Sequence, residues 1–143
     1  MGTTVVSLLV ALTNALSAPG LAPRAADDVK VDGSRYGQIL VDGKGKTLYL
    51  FTRDRGGNSR CYGDCASAWP PLYAHGAQLA GAGLDQAKLD TTTRRGGARQ
   101  VTYAGHPLYY YVNDRKPGQI LCQNVAEFGG TWLVVSPAGR AIR

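Results

Sequence analysis

GKTLYLFTRD, residues Gly45–Asp54, and GHPLYYYVND, residues Gly105–Asp114, align without a gap. Gly45/Gly105, Leu48/Leu108, Tyr49/Tyr109 and Asp54/Asp114 are identical, and Phe51/Tyr111 is aromatic in both. Each copy is the return strand of an expected hairpin, runs into a glycine-containing loop, and is followed by a tryptophan segment, WPPLY at Trp69 and TWLVV at Trp132. Two duplicated units that build one sheet system is the economical interpretation. Alternation along a strand puts Leu48 and Leu50 on one face and Tyr49 and Phe51 on the other. In the second copy Leu108, Tyr110 and Val112 oppose Tyr109 and Tyr111, so both faces of each strand are expected to be covered.

Before the first copy, Tyr36–Val41 (YGQILV) reads as a strand, Asp42-Gly43-Lys44-Gly45 as a turn and Lys46–Thr52 as the returning strand. Asp27–Arg35 is polar and reads as a lead-in. Cys61–Trp69 suits a short helical turn stopped by Pro70 and Pro71, and Asp85–Leu89 another. Thr91–Arg94 with Arg99–Tyr103 makes a further hairpin. Ala104-Gly105 turns Tyr103 into His106–Val112, and Thr131–Ser136 is the last strand. The expectation is an all-β fold, a small antiparallel sandwich or barrel of two tandem hairpin-containing repeats, about 36–75 and about 91–139, with short helical turns in the loops.

Composition agrees with this. The chain has 143 residues, enough for one domain over 27–143, and 19 glycines and eight tyrosines that suit short strands and tight turns. Val5–Leu16 is apolar but too short to span a membrane, and the small-residue segment after it completes the pattern of an exported leader over residues 1–26. The net charge of +6 rests mostly on arginine, in three groups: Arg53, Arg55 and Arg60; Arg94, Arg95 and Arg99; Arg115 with Lys116. Anionic cell-envelope components are the partners such a surface suits, while no dense basic run or motif points to nucleic acid.

The paired Y-x-(F/W/Y)-x-x-D motifs, the opening YGQILVDGKGKTLYLF, the segment C-x-x-x-C-A-x-x-W-P-P-L and the hairpin GHPLYYY together resemble the bacterial secreted-repeat lipoprotein family. Those are predicted lipoproteins with a tandem motif of that form, and the resemblance runs from Tyr36 to Gly139. It implies export and a tandem-repeat domain, and no established activity. A lipid-anchored member needs a cysteine directly after its leader, whereas the first cysteine here is Cys61, so a secreted or periplasmic location is expected.

For Asp54 and Asp114, just beyond their strands, the expected role is structural: turn aspartates that accept N–H groups of the following loop. Tyr49, Phe51, Tyr109 and Tyr111 are expected to pack the hairpins. Cys61 and Cys65 lie on one face if the segment is helical, within reach of a disulfide. As thiolates, with His75 or His106, the same pair would instead suit copper or zinc in a thiol-redox envelope protein. Cys122 is left over as a buried thiol, a third thiolate or the link of a dimer of an otherwise monomeric protein. Glu127 is the only glutamate and no catalytic set is recognisable, so a binding or interaction module that requires no cofactor is the leading expectation.

Overall fold

The computed structural model describes Gly2 and residues 28–143; the leader over 1–26 lies outside the described residues apart from Gly2. The chain forms β1 (Val29–Ser34), β2 (Gly37–Asp42), β3 (Tyr49–Phe51), a five-residue helix α1 (Asp64–Ala68), a 3-10 turn at Gln86–Lys88, β4 (Leu89–Thr93), β5 (Arg99–Tyr103), β6 (His106–Pro107), β7 (Val125–Glu127) and β8 (Gly130–Val134). Among the described residues all strand pairs are antiparallel, in three sheets ordered β1-β2, β3-β8-β7 and β4-β5-β6, and none closes into a barrel. The all-β tandem architecture is therefore present, as an open arrangement.

The local chemistry explains the elements. Ala104 and Gly105, at φ 50° and 78°, form the two-residue turn that joins β5 to β6. Asp85 caps the 3-10 turn by accepting from Ala87 N–H.

Two elements depart from the sequence expectation. The lead-in is a strand: β1 pairs with β2 from Val29↔Asp42 to Ser34↔Gly37. Only Val29 is buried in β1, so its apolar signal is one residue deep. The expected hairpin of 36–41 with 46–52 is mostly absent. Its turn closes, with Asp42 Oδ1 accepting from Lys44 and Lys46 N–H, but only the bridge Val41↔Thr47 follows, made by the bonds from Asp42 N–H to Lys46 O and from Leu48 N–H to Leu40 O. The chain then peels away to join β8, with Tyr49↔Val134, Leu50↔Leu133 and Phe51↔Trp132 in register. The reason is burial. All three β3 residues are buried, and a strand covered on both faces must find partners on both edges too. Its second edge meets the other motif copy, at Tyr109.

Two apolar clusters follow from the alternation. Leu48, Leu50, Leu108 and Leu133 pack with Leu40, Val101 and Val135 on one side. Tyr49, Phe51, Tyr109, Trp69 and Trp132 pack with Ile39, Val41 and Val134 on the other.

Candidate functional site

The two motif copies meet back to back. Tyr49 N–H donates to Tyr109 O at 2.8 Å and Tyr109 N–H to Tyr49 O at 3.0 Å, so a pseudo-two-fold axis passes between the two residues. Each tyrosine hydroxyl then reaches the aspartate of the other copy: Tyr49 donates to Asp114 Oδ2 at 2.5 Å and Tyr109 to Asp54 Oδ2 at 2.8 Å. The remaining carboxylate oxygens hold the loops, Asp54 Oδ1 accepting from Arg60 N–H at 2.7 Å and Asp114 Oδ1 from Leu121 N–H at 3.0 Å. Each motif aspartate thus joins its own loop to the opposite repeat.

Above the tyrosines lies a column of rings. Phe51 stacks on Trp132 at 4.1 Å, Trp132 on Trp69 at 4.0 Å, and Tyr111 tilts against Trp69 at 4.8 Å. Tyr49 and Tyr109 meet Trp69 and Trp132 edge-on, matching the ring quadrupoles. Both indole N–H groups end on Glu127: Trp69 donates to its carboxylate at 2.8 Å and Trp132 to its backbone carbonyl at 3.3 Å.

Burial governs the electrostatics of this centre. It pushes both Tyr49 and Tyr109 well above the usual phenol range, and the facing carboxylates add to the shift. It also raises Asp114, and raises Asp54 to about 6, although the Arg60 N–H, the Tyr109 hydroxyl and the charges of Arg94 and Arg60 pull the other way. A carboxyl that titrates near neutrality beside arginines could suggest chemistry. Here both oxygens are taken by structural donors, and nothing aims it at open space.

The asymmetry between the copies lies in their loops. After the first copy, α1 brings Cys61 and Cys65 to a Cα separation of 5.2 Å, joined as a disulfide. The copper arrangement needs both as thiolates. His75 is exposed in its loop, His106 is half-buried on β6 with its imidazole pushed down by burial, and among the described residues no three metal-ligating groups gather. Cys122 stands where Cys61 stands in the first copy, one residue past the N–H bound by the motif aspartate, and Ala126 takes the place of Cys65. It is a free, half-buried thiol pushed up by burial.

Around the disulfide, two arginine groups that are far apart in sequence converge. Buried Arg94 donates to Ser59 Oγ (2.8 Å), Gln100 Oε1 (2.7 Å) and Cys61 O (2.5 Å). Its guanidinium and that of Arg95 lie over the Tyr62 ring, 4.4 and 3.9 Å from the centroid. Arg53, Arg55, Arg60 and Arg95 are exposed around this ring and line a cleft of about 500 Å³. It adjoins a second of about 570 Å³ that reaches Asp64 and Phe128. Arg53 donates to Phe128 O, and Arg55 to Thr52 O and Asp54 O, so their bonds go to carbonyls rather than carboxylates. The sequence showed both groups beside loops, but carried no signal that the loops meet.

Comparison with known families places these observations. The family described as a secreted repeat of unknown function matches twice, over residues 30–73 and 90–136, the two halves related by the pseudo-two-fold axis. The chain belongs to this secreted-repeat family. Its two matched segments are the resemblance that the motifs implied, and the family description accords with export. No curated protein and no solved structure matches the chain. No helix among the described residues is long and apolar enough to cross a membrane.

Proposed function

We propose that this secreted repeat is an extracytoplasmic binding module for anionic polymers of the cell envelope, and that its working surface is the arginine face beside the disulfide. The observation that carries the proposal is the convergence of Arg53, Arg55, Arg60 and Arg95 on one open cleft, where the side-chain bonds of Arg53 and Arg55 go to carbonyls rather than carboxylates. A guanidinium fork matches two oxygens of a phosphate or carboxylate, and several forks on one surface suit a repeating anion. The Tyr62 ring gives a flat floor held by two cations, and the disulfide fixes the loop that carries it. The motif tyrosines and aspartates serve as the frame that holds this loop against the other repeat.

The test is calorimetric titration with poly(glycerol phosphate) at increasing salt. Replacing Arg53, Arg60 and Arg95 with alanine should weaken binding at least about tenfold and flatten the salt dependence, since fewer counterions are exchanged. Replacing Lys44, Lys88 and Arg140, exposed and outside the cleft, should change it little. Equal losses in the two triple variants would reduce the effect to net charge and defeat the assignment.

A further inference from the structure

The two copies build two related clefts, each between the first hairpin of one repeat and the post-motif loop of the other. Hydrogen bonds fix the correspondence. Leu40 N–H to Val135 O matches Val101 N–H to Leu72 O, which equates Ile39 with Gln100. The hairpin registers then equate Ser34, opposite Gly37, with Arg94, which donates to Ala98 O. The loop bonds to Asp54 and Asp114 equate Ser59 with Ile120.

One cleft is filled from within. Arg94 occupies it and bonds to Ser59 and Gln100. In the other, serine replaces the filling arginine, and isoleucines replace both of its side-chain partners. Ser34 turns its hydroxyl to its own turn, donating to Gly37 O at 2.8 Å and accepting from Tyr36 N–H at 3.0 Å. What remains is a cavity of about 250 Å³ whose lining includes Ile39, Val41, Thr47 and Ile120, all buried, with Asp32 and Arg35. Arg35 donates through one nitrogen to Ile120 O at 2.9 Å, and Asp32 accepts Gly33 N–H through Oδ1 at 2.8 Å. Each therefore keeps hydrogen-bonding capacity for a ligand.

From this we infer a second binding site, independent of the arginine face, for a free α-amino acid with an aliphatic side chain. The side chain lies on the isoleucine and valine floor, the carboxylate meets Arg35 and the ammonium meets Asp32. A ligand bearing one charge would leave the other group unanswered, and a polar side chain would meet the apolar floor.

Methyl NMR on isoleucine- and valine-labelled protein, titrated with L-valine, tests the site. Shifts should concentrate on the Ile39, Val41 and Ile120 methyls. Asp32→Asn and Arg35→Gln, both at exposed positions that leave the fold intact, should each weaken binding about tenfold, as should replacing the probe with isovalerate or isobutylamine. Absence of shifts at these methyls overturns the site. Undiminished binding in either variant, or isovalerate binding as well as valine, overturns the zwitterion assignment.

Discussion

At the scale of single residues, the crossed tyrosine–aspartate pairs make a prediction that a strand-by-strand view of the motif would not. Tyr49 belongs energetically with Asp114, not with the aspartate five positions along its own motif. Removing the Tyr49 hydroxyl leaves Oδ2 of Asp114, a residue that is 1% exposed, without its donor, so Tyr49→Phe should cost on the order of 2 kcal/mol. In double-mutant cycles followed by urea unfolding, Tyr49→Phe should couple with Asp114→Asn. With Asp54→Asn it should add to within about 0.5 kcal/mol. The reverse pattern would show that the motif acts within each copy. Asp54 supplies a second test, in pH. Its folded value of about 6 lies above the roughly 3.9 of an unfolded aspartate. The folded state therefore binds the proton more tightly, and the contribution to stability is full below about pH 4 and lost as pH rises through about 6. The difference in melting temperature between the wild type and Asp54→Asn should shift in the wild type's favour as pH falls from 7 to 4; a difference constant across that range would refute the burial of an ionisable Asp54. The sequence made the type of these residues legible, as turn aspartates and packing tyrosines, because alternation and loop position are local. It could not show the crossing, because a hydroxyl–carboxylate pair more than 50 positions apart leaves no local trace.

At the scale of elements, the sequence was most informative where a turn has its own chemistry and least where a strand takes a distant partner. The β4–β5 hairpin, the Ala104-Gly105 turn and the helical turn at Cys61 were all legible from nearby residues. The first hairpin departs from its expectation because an alternating strand beside a glycine turn looks like a hairpin whether or not its far half pairs elsewhere. The ring column gives β8 its own constraint. A Cβ at Gly130 would lie 2.5 Å from the Phe51 ring, directly beside the Phe51–Trp132 stack. The φ of Gly130 is ordinary, so the requirement is space, not backbone freedom. Gly130→Ala should therefore destabilise by about 1–3 kcal/mol in chemical denaturation, with a change in the near-ultraviolet circular dichroism of the tryptophans. An unchanged aromatic signal would mean that the column does not depend on this glycine.

For the whole molecule, β1-β2 and β4-β5-β6 each lie within one repeat, while the sheet β3-β8-β7 is built from both. β3 of the first pairs with β8 of the second, and Leu72 and Pro71 of the first pair with Leu108 and Tyr109 of the second. The two halves should unfold in one transition. A fragment of residues 28–80 made alone should show the circular dichroism of an unfolded chain; a folded fragment would contradict the interdependence of the repeats. The exchange of tyrosine for aspartate across the axis has a further consequence. A single repeat would meet the same pairs only in a second copy of itself, so the chain has the arrangement of a symmetric dimer joined into one polypeptide. Once both halves are encoded separately, each is released from having to match the other. The first carries a disulfide beside its arginines and has Ser34 where the second has Arg94, so one cleft is plugged and its counterpart is not.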